Sequence, residues 1–117
     1  MSEDVQIFYN PKCSKCRQTM DILKSKGITA SIVEYLNTPP DSAELSHILD
    51  ILGLEPRDLM RKHEAPYKEN NLDNPDLSRE QLIQAMIDHP VLIERPIIIN
   101  GNKATIGRPP EKVLDIL

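Results

Sequence analysis

Tryptophan is absent from this 117-residue chain, and one phenylalanine and three tyrosines make up its whole aromatic content. So sparse a supply excludes a base-stacking platform for single-stranded nucleic acid. A basic excess is missing too: fourteen lysines and arginines stand against eighteen acids, a formal net charge of −4. Nucleic-acid binders usually carry the opposite sign, so no nucleic-acid partner is expected. Taken at face value, the sum also disfavours an anionic ligand. No apolar run is long enough to span a bilayer. Met1-Ser2-Glu3-Asp4 is acidic where a secretory leader would be basic, and no apolar h-region follows. These features predict a cytoplasmic location without a membrane partner. Two cysteines are too few for a disulfide-stapled scaffold. In a reducing compartment they are catalytic, metal-binding or simply buried.

What is present reads as one α/β domain over residues 1–117. Residues 5–9 are β-prone and end at Asn10-Pro11, which predicts a strand. Cys16, Met20 and Leu23 then fall on one helical face, with Gly27 where a terminating glycine belongs. Residues 30–35 carry Ile32 and Val33 and read as a second strand, parallel to the first because a helix makes the crossover. The middle is helical. Asp41 to Glu44 has the spacing of a capping box ahead of the stripe Leu45, Ile48, Leu49, Leu52, and Gly53 stops that helix. A short helix from Pro56 carries Leu59 and Met60, and residues 68–75 read as irregular. Ser78 and Gln81 cap a helix that ends at His89-Pro90. The run Pro96-Ile97-Ile98-Ile99 reads as a central strand buried on both faces. Gly101-Asn102 marks a hairpin, residues 103–106 the return strand, and a last helix carries Val113, Leu114 and Leu117. The pattern is βαβ, helices, then ββα: a layered domain with a helical insertion at about 41–90.

The sharpest chemical signal is Cys13-Ser14-Lys15-Cys16, after the first strand and at the start of the first helix. Free backbone N–H groups and the positive end of the helix dipole favour a thiolate there. Lys12, Lys15 and Arg17 add positive charge. A CxxC beside a βαβ pattern reads as thioredoxin-like redox chemistry. The bland alternatives are half a zinc site or two inert core cysteines. Zinc wants a second ligand pair, and His47, His63 and His89 are scattered singly, so no metal is expected. Cys13, in the loop or first turn, is the expected exposed thiolate. Cys16 begins the apolar stripe, points inward, and is spaced to resolve a disulfide formed at Cys13. Pro96 reads equally as a cis proline or as an ordinary strand-start proline. Arg61, Arg95 and Arg108 read either as solvated surface residues or as forks for a tetrahedral oxyanion.

The run Tyr9-Asn10-Pro11-Lys12-Cys13-Ser14-Lys15-Cys16-Arg17 resembles the active-site segment of the glutaredoxin-coupled arsenate reductase family, ArsC, of the bacterial chromosomal type. Four further runs resemble it in order: Tyr35-Leu36-Asn37-Thr38-Pro39-Pro40, Leu59-Met60-Arg61-Lys62, Glu94-Arg95-Pro96-Ile97 and Ile106-Gly107-Arg108-Pro109. The resemblance implies a thioredoxin-like fold with a helical insertion. It implies Cys13 as catalytic cysteine, Arg61, Arg95 and Arg108 as oxyanion ligands, and Pro96 as a cis proline. It also implies arsenate as substrate, glutathione as co-substrate, glutaredoxin as partner and no bound cofactor. Two residues depart from the family pattern. Tyr9 stands where some members have histidine, so activation of the thiol must rest on the helix start and basic side chains. Cys16 stands where serine is frequent. An Spx-type regulator shares the fold and a CxxC switch but binds RNA polymerase, and such chains lack the Arg108-Pro109 pair after the hairpin. A thiol–disulfide reductase of another substrate would keep the cysteine without needing three arginines.

Overall fold

The computed structural model describes residues 5–117. Among them the chain divides into two compact units, one of residues 5–38 with Arg95–Leu117 and one of Pro39–Glu94.

The first unit holds a four-stranded sheet. Its strands are β1 (Val5–Phe8), β2 (Ser31–Val33), β3 (Ile97–Asn100) and β4 (Lys103–Ile106), in the order β2-β1-β3-β4. β1 pairs parallel with β2 and antiparallel with β3, and β3 pairs antiparallel with β4. The helix α1 (Ser14–Ser25) makes the β1–β2 crossover. It ends as its sequence requires: Gly27 takes φ +73°, and Ile28 N–H reaches back to the Leu23 carbonyl at 3.0 Å. The two-residue hairpin turn draws its positive φ from Gly101. The core of this unit joins Val5, Ile7 and Ile98 of the sheet to Met20 and Leu23 of α1, with Val113 and Ile116 beyond.

Two expectations are corrected here. The second strand covers only Ser31–Val33, not residues 30–35. β1 ends at Phe8 before Asn10-Pro11, so the parallel ladder has nothing further to pair with. Tyr35 instead turns into the core, fully buried, with its ring stacked on Phe8 at a centroid distance of 6.2 Å. The last helix is of the 3-10 type over Pro110–Ile116. Its repeat of about three residues buries Pro110, Val113 and Ile116 at i, i+3, i+6. The α-helical period put Leu114 and Leu117 on the apolar face, yet both lie more than two-fifths exposed.

The second unit is helical: α2 (Ser42–Leu52), α3 (Ala65–Glu69) and α4 (Arg79–Asp88), with 3-10 turns at Pro56–Leu59 and Pro90–Leu92. Asp41 caps α2 by accepting from Glu44 N–H at 2.8 Å. Ser78 and Gln81 form a full capping box on α4, with bonds of 3.2 and 2.8 Å. α2 and α4 pack through Leu45, Ile48, Leu49, Leu82, Ile83 and Met86, all buried. Arg79 fastens the pair from outside, donating to Asp50 at 2.9 Å and to the Ser46 carbonyl at 3.1 Å. Residues 68–75, expected to be irregular, begin inside α3.

Candidate active site

The loop between β1 and α1 is a sequence of local hydrogen bonds. Asn10 accepts Lys12 N–H on its side-chain oxygen at 3.0 Å and Cys13 N–H on its carbonyl at 2.9 Å. This Asx turn hands the chain to α1 with Cys13 in the N-cap position, in extended conformation at φ −93° and ψ 120°. The Cys13 side chain therefore sits where a capping oxygen would sit, over the unpaired N–H groups of the first turn. No cap hydrogen bond of strict geometry reaches its sulfur. The Cys16 and Lys15 amides nonetheless lie close enough to favour charge on it.

Burial is the largest influence on the Cys13 thiol and pushes its pKa up. Hydrogen bonds from the Cys16 amide, the Cys16 thiol, the Arg95 guanidinium and the Lys15 amide act against it. Together they outweigh burial and leave the pKa below its ordinary value. Cys16, at the third helical position, is fully buried. Burial drives its pKa up to about 12, and the neighbouring Cys13 sulfur adds to the rise, while the Asn10 backbone and Arg95 oppose it. Both cysteines are free thiols.

The expectation of an exposed Cys13 needs correction, since the residue is only 7% exposed. Arg108 Nη2 stands 3.9 Å from its sulfur, and the Arg95 guanidinium bonds to it from the same unit. Two guanidinium groups therefore lie on the sulfur. Arg108 is aimed by its own Nε, which donates to the Arg95 carbonyl at 2.8 Å. Arg95–Pro96 is a cis peptide bond, and so is Arg108–Pro109, which no sequence signal singled out.

Gly107 is a second feature that sequence reasoning missed. Its N–H donates to the Pro96 carbonyl at 2.9 Å. A Cβ there would fall 2.6 Å from Thr19 Oγ1 and 2.8 Å from Pro96 Cγ. Gly107 thus lets the strand end close against Pro96 and α1, one residue before Arg108. Thr19 is fully buried and returns its hydroxyl to the Lys15 carbonyl at 2.8 Å. The signal was available in the pattern Gly-Arg-Pro after a strand, but only the packing shows why the glycine is needed.

Arg61 belongs to the helical unit. Its Nε faces the Glu64 carboxylate at 3.6 Å and its Nη2 lies 3.0 Å from His63 Nε2. Its Nη1 is buried without a hydrogen-bond partner among the described residues. Among the described residues no three His, Cys, Asp or Glu side chains gather as a metal site would require. Nor is any helix long and apolar enough to cross a membrane.

A thiol at the N-cap of the helix after β1, beside a strand entered through a cis proline, belongs to a thioredoxin-like fold. The chain belongs to the ArsC family, whose model matches residues 8–116. It is 52% identical over 118 residues to Uncharacterized protein YfgD of Escherichia coli K12, covering 100% of this chain and 99% of that protein. It is 50% identical over 114 residues to a Haemophilus influenzae protein named Arsenate reductase, covering 97% and 98%. A solved structure described as Arsenate reductase from Vibrio cholerae superposes with a TM-score of 0.93 at 48% identity, over 97% of each chain.

Proposed function

We propose that this protein reduces arsenate to arsenite at Cys13, with electrons drawn from glutathione and glutaredoxin. The observation that carries the reading is the placement of two guanidinium groups, Arg95 and Arg108, on the sulfur of a thiol whose pKa is lowered. An arsenate drawn to those forks is delivered to the nucleophile, and their charge offsets the negative charge that grows on oxygen during attack. The Cys13 thiolate attacks arsenic(V) and expels an oxygen as water, leaving a sulfur–arsenic bond. A second thiol then takes the sulfur, the electron pair of that bond stays on arsenic, and arsenite departs. No metal or bound cofactor is required by this chemistry. The family resemblance implies Arg61 as a third oxyanion ligand. Names of relatives in Haemophilus influenzae and Neisseria meningitidis support the same activity.

The test is arsenate-dependent NADPH oxidation, with glutathione, glutaredoxin and glutathione reductase in one arm and thioredoxin with its reductase in the other. The expected result is turnover in the glutaredoxin arm, lost in Cys13→Ser while the variant stays folded by circular dichroism. Absence of turnover in both arms refutes the activity, and turnover in the thioredoxin arm alone refutes the donor.

A further inference from the structure

Building on that reductase reading, we propose that Cys16 is the resolving thiol of the same site. It attacks Cys13 Sγ once that sulfur carries arsenic, so the chain supplies both electrons of a reduction from its own pair of thiols.

Cys13 is the N-cap and Cys16 the N3 residue of α1, so the two side chains are separated by one turn at the same helix start. The two sulfurs are in hydrogen-bonding contact, with the Cys16 thiol donating to Cys13. Cys16 is fully buried while Cys13 keeps a small opening to solvent. An external thiol therefore meets Cys13 first, and the sulfur beside Cys16 is that of Cys13. A cysteine serving only as a small apolar packing group needs no such contact.

The same contact orders the two steps. Burial holds the proton on Cys16, and while Cys13 is a thiolate its hydrogen bond and charge add to that hold. Bonding Cys13 to arsenic removes that charge, while Arg95 continues to favour ionisation of Cys16. Consumption of the first nucleophile thus removes the part of the rise that Cys13 causes, while burial, the larger cause, continues to hold Cys16 up. In the resolving step the Cys16–Cys13 sulfur–sulfur bond forms and the sulfur–arsenic bond breaks. Its electron pair passes to arsenic, which falls from the +5 to the +3 state, and the Cys16 proton goes to an arsenic oxygen. Two thiols are oxidised to one disulfide, and arsenite and one water leave. Glutathione and glutaredoxin then act on the Cys13–Cys16 disulfide rather than on the arsenic adduct.

The test is a single turnover of the full reduced chain with arsenate and no added thiol, reading arsenite, free thiols and intact mass. The expected result is arsenite equimolar with protein, loss of both thiols, and a monomer lighter by two hydrogens. Cys16→Ser and Cys16→Ala, each checked for folding by circular dichroism, should release no arsenite and accumulate a Cys13–arsenic adduct, from which added glutathione then frees arsenite. A wild-type chain that holds the adduct until glutathione is added overturns the resolving role while leaving the reductase reading intact. So does a disulfide found only between chains. If wild type forms neither adduct nor arsenite, even with glutathione and glutaredoxin, the reductase reading itself fails and the inference falls with it.

Discussion

Replacing Gly107 with alanine adds one methyl group where the packing has no room for it. The new Cβ would lie 2.6 Å from Thr19 Oγ1, 2.8 Å from Pro96 Cγ and 3.3 Å from Ile98 Cδ1. Two of these are shorter than any normal contact, and those two belong to a proline ring and a short, fully buried threonine, not to the far end of a long flexible side chain. Gly107 does not have a positive φ, so the backbone itself tolerates alanine and the effect is steric. Overpacking of this kind costs about 1–3 kcal/mol. Stiffening of the unfolded chain returns roughly 0.4–1 kcal/mol. The net expectation is a loss of about 1–2 kcal/mol, or a fall in the urea midpoint on the order of 1 M. Function should respond as well. Arg108 is the next residue, and a shift of Gly107 moves its guanidinium off the Cys13 sulfur, slowing arsenate reduction at low substrate. Thr19→Ala removes the atom in closest contact, so the double variant should recover part of the loss, a coupling that a double-mutant cycle reads directly. Gly107→Ala within about 0.5 kcal/mol of wild type, with no coupling to Thr19→Ala, would show that the strand end and α1 are not held together as described.

Arg95→Ala removes a hydrogen bond that favours the Cys13 thiolate. The midpoint of Cys13 alkylation against pH, expected below the ordinary thiol value of about 8.5 in wild type, should therefore move up. An unmoved midpoint would leave activation to the helix start alone. Cys16 is raised in the folded state, so its contribution to stability is full below the unfolded thiol pKa and is lost as pH climbs toward about 12. Cys13 works the opposite way: its contribution is present above the unfolded pKa and is lost as pH falls through its lowered folded value. Urea midpoints measured across the alkaline range should fall in wild type and fall less in Cys16→Ala. Equal slopes would contradict the burial of Cys16. Raising salt from about 0.1 M to about 1 M should barely move the Cys13 midpoint, because the guanidinium groups and amides that set it are in contact rather than a Debye length away. A large upward shift would assign activation to the exposed Lys12 and Arg17 instead.

Where local chemistry decides structure, the chain is legible. Gly27, Asp41, Gly53, Ser78 with Gln81, and Gly101 each end or begin an element by a short-range rule, and each does so here. The inward stripe of Cys16, Met20 and Leu23 follows from the helical period alone. Legibility stops where a partner strand or a non-α period takes over. Nothing local says that β1 stops at Phe8 and so cuts β2 short. Nothing local says that Pro110–Ile116 winds with three residues per turn rather than 3.6. The candidate site divides in the same way. Cys13 and its helix start are neighbours in sequence and could be read together. Arg95 and Arg108 lie more than eighty residues on, and only the pairing of β3 with β1 and β4 carries their ends to the sulfur.

The formal charge of −4 is a sum, and the sulfur does not experience the sum. It experiences groups in contact with it, among which Arg95 bonds to it and Arg108 stands 3.9 Å away. Charges exposed to water beyond about 8 Å are screened at physiological salt. Eleven of the eighteen acids fall between Asp41 and Asp88 in the sequence, within the helical unit. Residues 1–38 and 95–117 hold nine lysines and arginines against six acids, so the first unit's own balance is basic inside an acidic chain. Burial strengthens this effect twice over. It removes the water that would screen the guanidinium groups, and it makes an uncompensated thiolate costly, so charge on Cys13 persists only while its donors stay in place. A protein with this arrangement gains its reactivity from fixed neighbours rather than from overall charge. That is why a shift in a single glycine, Gly107, is expected to be felt at the sulfur.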